Sequence, residues 1–211
     1  TWSRYMNMSE DDGWAGLAMW SWEPMIYRNY APSSEDRRRS FTLAWVYELP
    51  FGQGKPYALS GLADKVLGGW KINGVFSMYS GTPFTVSGSG SSLLCTGCSQ
   101  TADQIAAVRK IDQGRGPNMP YYDPMSFRDP LFIFSPANPV YRPGTMGRNA
   151  LYGPGFWRVD PAIYKEFKAT EKVKAEFRAE AVNLTNTPRW GNPAGGAGGM
   201  QLNPDGSLRA L

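Results

Sequence analysis

Between Glu171 and Val182 the sequence reads EKVKAEFRAEAV, an alternation of charged and apolar residues. Lys172, Lys174, Glu176, Arg178 and Glu180 take one parity, and Val173, Ala175, Phe177, Ala179 and Ala181 take the other. In a strand, successive side chains point to opposite faces, so the segment gains one charged wall and one apolar wall. Coiled as a helix it would scatter its charges around the circumference. Glu, Lys, Arg and Ala are good helix formers, so propensity opposes periodicity here. The periodicity is unbroken and decides for a strand, of a kind suited to a wall between lipid and water.

The rest of the chain has a similar texture. Its 211 residues are 42% apolar and 14% aromatic, with 8 Trp, 11 Tyr and 10 Phe, yet mean hydropathy is negative. Strands with one dry and one wet face give that combination. No run approaches the ~18 apolar residues of a transmembrane helix, a test to which barrel strands are invisible. There is no histidine, which excludes Ser-His and Cys-His nucleophiles and imidazole metal ligation. The net charge of +4 is mild, and its one basic run, Arg37-Arg38-Arg39, follows Glu35-Asp36. That is the pattern of a solvated turn, not of a nucleic-acid surface.

Five strands are predicted, near 1–8, 39–49, 69–86, 155–168 and 171–186. In the second, Phe41, Leu43, Trp45, Tyr47 and Leu49 oppose Ser40, Thr42, Ala44, Val46 and Glu48. The third carries Trp70, Ile72, Gly74, Phe76 and Met78 on one parity; as one strand over 69–86 it would run roughly 59 Å and project beyond any bilayer. Ser80 to Pro83 is expected in that projection, because proline cannot donate to a ladder. In the fourth, Trp157, Val159, Ile163 and Phe167 face Arg158, Asp160, Tyr164 and Glu166. Lys168 to Glu171 is a short hairpin turn. Long loops are expected over 9–37, 88–153 and 187–211, with a helical patch at Thr101 to Ile111. Long and short connections thus alternate, as they do in up-and-down outer-membrane barrels.

Several stretches resemble the TonB-dependent outer-membrane receptors, particularly their Oar-like branch. They are Pro32 to Arg38 (PSSEDRR), Tyr47 to Gly52 (YELPFG), Gly68 to Gly74 (GGWKING), Ser80 to Val86 (SGTPFTV), Gly147-Arg148-Asn149, Gly153 to Phe156 (GPGF), Asp160, and Phe177 to Asn186 (FRAEAVNLTN). Each block is weak alone; the ordered set is specific. The resemblance implies an all-β, antiparallel up-and-down architecture: an incomplete segment, near the C-terminal end, of a large transmembrane barrel with long external loops. Plug domain, TonB-engaging motif and closing strand are expected outside residues 1–211. It also puts Asn183 to Asn186 at the outer end of an ascending strand and Lys168 to Glu171 in the periplasm. Pro161 stands where a small polar residue is usual, and Arg39 where His is common.

Arg158, Asp160, Lys174, Glu176, Arg178 and Glu180 are expected to line the lumen, because the charges from Lys172 to Glu180 would cost on the order of 10 kcal/mol facing lipid, at ~2 kcal/mol each. Cross-strand ion pairs and plug contacts are expected there. Trp14, Trp20 and Trp22 could stack on a flat ligand or pack between loops. Cys95 and Cys98 are a candidate local disulfide; without His or a second cysteine pair they do not suit zinc.

The expected function is a non-enzymatic segment of an outer-membrane, TonB-dependent importer or receptor in a Gram-negative bacterium. No cofactor, metal or nucleic acid is expected. Its partners would be lipid, the plug of the same chain, TonB and an unidentified extracellular solute. The alternative is a soluble, secreted β-rich domain that binds carbohydrate through the same tryptophans. The two differ in whether Trp45, Trp70, Phe76, Trp157 and Phe177 lie open on one face or are buried together.

Overall fold

The computed structural model describes residues 1–9, 23–95, 99–111, 120–132, 139–168, 173–193 and 200–201. In chain order the strands are β1 (Met6–Asn7), β2 (Ala31–Pro32), β3 (Ser40–Glu48), β4 (Trp70–Tyr79), β5 (Pro83–Phe84), β6 (Val86–Ser89), β7 (Ser99–Thr101), β8 (Asp103–Gln104), β9 (Phe127–Arg128), β10 (Leu151–Tyr152), β11 (Phe156–Lys168), β12 (Lys174–Glu180) and β13 (Met200–Gln201). A helix, α1 (Gly61–Leu67), lies between β3 and β4. The chain divides into two units: Ser40–Tyr79 with Phe156–Pro188, and Thr1–Arg39 with Ser80–Gly155 and Arg189–Leu211.

The first unit is a four-stranded antiparallel sheet in the order β12-β11-β4-β3. Register fixes its faces. Trp45 pairs with Gly74 and Gly74 with Pro161; Tyr47 pairs with Ile72 and Ile72 with Ile163, which pairs with Ala179. One face therefore carries Phe41, Leu43, Trp45, Tyr47, Trp70, Ile72, Phe76, Met78, Trp157, Val159, Ile163, Phe167, Ala175 and Phe177. The other carries Glu48, Lys71, Arg158, Asp160, Glu166, Lys174, Glu176, Arg178 and Glu180. The alternation of Glu171 to Val182 is a strand over Lys174–Glu180. β11 alone runs about 40 Å, or about 30 Å after a tilt of roughly 40°, enough to cross a ~25 Å apolar band.

Two strand boundaries in this sheet differ from the sequence expectation, and one connection holds a helix. β4 ends at Tyr79, and Pro83–Phe84 and Val86–Ser89 are separate strands of the second unit, so 69–86 is not one strand. Pro83 breaks it: β5 is a two-residue strand paired only with Leu151 and Tyr152. The last strand stops at Glu180 rather than reaching 186. Pro161 lies directly across from that stop: its carbonyl accepts Ala181 N at 3.0 Å, but it has no N–H to return the second bond of the pair. The bond that proline cannot donate is thus missing at the end of β12, and the β11–β4 pairing stays continuous. The connection between β3 and β4 contains α1, which strand alternation does not reveal.

The second unit is built largely from segments read as long loops. Phe84, Val86, Ala102, Tyr122, Phe127, Met146 and Leu151 form its apolar core. The helical patch expected at Thr101 to Ile111 is absent: Ser99–Thr101 pairs with β6, and Asp103–Gln104 pairs with β9. Tertiary bonds override helix propensity here. Ala102 donates to Val86 O at 2.8 Å and accepts from Met146 N at 3.0 Å, while Arg142 holds the buried Asp103 carboxylate through two 2.9 Å bonds. At the N-terminus the expected strand over 1–8 is reduced to Met6–Asn7, paired with Ala31–Pro32, and a bridge from Trp2 to Arg39.

Candidate functional site

The charged face of the sheet is held by ion pairs of two kinds. Lys174 meets Glu166 across strands at 2.9 Å and Lys71 meets Glu48 at 2.8 Å. Arg158 meets Asp160 at 3.1 Å along one strand, and Arg178 meets Glu180 likewise. Residues two apart on a strand share a face, so alternating signs pair lengthwise as readily as across. Glu176 stands opposite Glu166 in register. All six predicted wall residues therefore lie on one face of β11 and β12. Asp160 has a further role, because its carboxylate accepts Asn183 N at 2.8 Å. Asn183 adopts φ 52°, and its side-chain amide bonds Thr187 N and Thr187 O, both at 3.1 Å. Asn186 N closes the turn on Asn183 O at 2.8 Å.

The opposite face carries aromatic clusters toward its two ends. Phe76 packs with Phe41 at 6.0 Å and with Trp157 at 6.1 Å between ring centroids; Trp70 meets Phe177 edge-on at 5.9 Å. Trp157 and Phe177 remain 42% and 50% exposed. Such a face, apolar along its length with aromatic clusters near both ends and Trp45 and Tyr47 between them, fits a hydrocarbon layer and its two interfaces.

In the second unit, blocks far apart in sequence converge. The buried Asp36 carboxylate accepts Tyr5 N at 2.8 Å and the Tyr152 hydroxyl at 3.1 Å, and the Arg38 guanidinium lies 4.1 Å from the Tyr152 ring centroid. Asn149, at φ 52°, donates its backbone N–H to Thr85 Oγ1 at 2.8 Å and its side-chain amide to Pro32 O at 2.8 Å. Arg148 reaches Asn7 Oδ1 at 2.6 Å and Asn29 O at 2.7 Å. Beside it lies a cleft of about 420 Å³ that includes Arg4, Tyr27, Arg28, Tyr30 and Arg148 in its lining. It offers guanidinium and phenol groups to a solute. Sequence reading missed it because its arginines come from positions 4, 28 and 148, with no local pattern linking them.

Trp14, Trp20, Trp22 and Cys98 lie outside the described residues, as do residues 169–172 of the expected hairpin turn. Cys95 is disulfide-bonded. Among the described residues no group of His, Cys, Asp or Glu is arranged to hold a metal ion, and no helix is long and apolar enough to cross a membrane.

An antiparallel wall with a charged face and an aromatic-bordered apolar face defines an outer-membrane β-barrel protein. The family described as outer membrane beta barrel domain matches residues 1–202, and the chain belongs to it. No curated protein and no solved structure matches the chain.

Proposed function

We propose that this chain forms part of the barrel of a TonB-dependent, active-transport receptor of the Oar-like kind in a Gram-negative bacterium. The sheet supplies wall, with its charged face toward the lumen and the plug of the intact protein. The second unit supplies solute-contacting surface, including the arginine- and tyrosine-lined cleft. The chain performs no bond-making chemistry and uses no cofactor; transport work comes from TonB acting on the plug.

The observation that supports this most is how the resembling blocks meet. Pro32 to Arg38, Ser80 to Val86 and Gly147 to Asn149 are separated by up to 117 positions, yet are tied together through Asn149 and its bond to Pro32 O. Interlocking of these blocks supports reading them as parts of one architecture. The soluble carbohydrate-binding reading requires the sheet's aromatic residues to be buried together, and Trp157 and Phe177 are not.

The test is binding of the purified periplasmic domain of TonB to the intact protein in detergent, measured by calorimetry with a protein lacking the TonB-engaging motif as control. Saturable, motif-dependent binding is expected. Its absence, with a folded barrel confirmed by circular dichroism, would reject the TonB-dependent reading while leaving the barrel in place.

A further inference from the structure

One residue on the apolar face breaks its chemistry. Lys165 pairs in register with Trp70 on one side and Phe177 on the other, so it projects from the face that an outer-membrane barrel turns to lipid. A bare ammonium in hydrocarbon costs several kcal/mol. Lys165 is only 4% exposed, and α1 accounts for that. Its Nζ donates to Lys65 O at 2.5 Å and Val66 O at 3.1 Å, the carbonyls at the negative end of the helix. The Trp70 indole N–H donates to Val66 O at 2.8 Å. The ammonium also lies 5.5 Å from the Trp70 ring centroid and 5.1 Å from that of Phe167. Lys165 and Trp70 therefore clamp the C-terminal end of α1 against the outer side of the barrel wall.

The helix so clamped turns apolar residues outward. Leu62 and Val66 are one turn apart and 79% and 62% exposed; Leu67 is 55% exposed. Asp64 is used inward, where its Oδ1 accepts Gln53 N at 3.0 Å, while the Lys65 side chain is exposed and long enough to carry its charge to the headgroups. A water-facing surface helix would be oriented the other way round.

We propose that α1 is an interfacial anchor, lying in the headgroup layer with Leu62 and Val66 in the acyl boundary of the leaflet at the β3–β4 connection. Three observations select lipid as the occupant. The patch adjoins the apolar face of β4 and β11, because Val66 O takes both the Trp70 indole N–H and the Lys165 ammonium. The clamp lies at the aromatic cluster of Trp70, Phe167 and Phe177, the level at which amphipathic rings mark a membrane interface. Lys165 has its charge satisfied from the protein side, which lets the outer side of α1 face hydrocarbon. The inference rests on the barrel assignment and is independent of TonB.

Its test is site-directed spin labelling of the intact protein in vesicles of phosphatidylethanolamine and phosphatidylglycerol, with labels on Leu62→Cys, Val66→Cys and Leu43→Cys. Labels at 62 and 66 are expected to collide severalfold more with oxygen than with a water-soluble nickel chelate, as is the label at 43 on the apolar face of the sheet. In Lys165→Met the Val66 label should lose that protection and sharpen its spectrum. Water-like accessibility at 62 and 66 would overturn the anchor, as would exclusion from both reagents, which signals a protein partner. An unchanged Lys165→Met spectrum would overturn the clamp. A water-like label at 43 would instead remove the barrel assignment itself.

Discussion

The Trp45 indole occupies the space where a side chain on Gly74 would begin, so that a Cβ built at Gly74 overlaps the six-membered ring. The two residues are register partners on β3 and β4, and Pro161 on β11 is next in the row. Glycine is needed here for the close approach of an aromatic ring across the pleat. Gly74→Ala should lower stability by about 1–3 kcal/mol through overpacking. Unfolding of the intact protein in detergent would show this. The double variant with Trp45→Leu should lose less than the two single changes summed, since the overlap is then gone; strict additivity would refute the packing account.

Asn183 carries the turn that ends β12. It holds a left-handed φ and bridges Asp160, Asn186 and Thr187. Asn183→Ala removes both side-chain bonds and sets alanine in a strained region, at a cost of about 1–3 kcal/mol. Asn183→Gly relieves the strain and should recover part of that loss. Proteolysis near Thr187 gives a local readout: Asn183→Ala should be cut fastest, Asn183→Gly at an intermediate rate and the native protein slowest.

In the second unit, Asp103 is fully buried and receives Arg142 bidentately as well as Thr145 N at 2.9 Å. Asp103→Ala leaves a partly buried guanidinium without its carboxylate and should cost about 2–3 kcal/mol. Because this unit has its own core, proteolytic opening of residues 99–150 should rise while the sheet's circular dichroism holds. A uniform loss of both signals would show that the two units unfold as one.

Alkaline stability has a definite sign. Burial pushes the phenols of Tyr122 and Tyr152 above their ordinary value. The neutral phenol is favoured by the folded state, so its contribution is complete below about pH 10 and is lost as pH climbs through the raised pKa. Tyr122→Phe gives up the 2.8 Å bond to Tyr152 O and so starts less stable. Its melting temperature should then fall less steeply above pH 10 than that of the native protein; parallel curves would exclude Tyr122 as a contributor.

What could be read directly from the chain was whatever repeats with a period of two. The alternation of Phe41 to Glu48, of Trp70 to Met78 and of Lys174 to Glu180 gave strand type, face assignment and the two-sided character of the wall, because a strand's faces follow from parity alone. Lys165 shares the parity of Ile163 and Phe167 and is a lysine among apolar partners, which parity does not explain. Its justification, the carbonyl end of α1, comes from a segment about a hundred residues earlier. The second unit was illegible for a related reason. Of its core residues, Phe84, Val86, Phe127 and Leu151 lie on strands of two to four residues, too short to display any period, and Ala102, Tyr122 and Met146 lie on no strand at all.

The sequence by itself determined that this chain carries strands with one charged and one apolar face and has no histidine chemistry, since parity and composition are properties of the chain. Tertiary structure alone decided where the strands stop, that the supposed loops share a core, and how one lysine can sit on the apolar face. Each of those depends on a bond or contact between distant residues, Pro161 with Ala181, Asp103 with Arg142, Lys165 with Val66, and no local pattern encodes such a meeting.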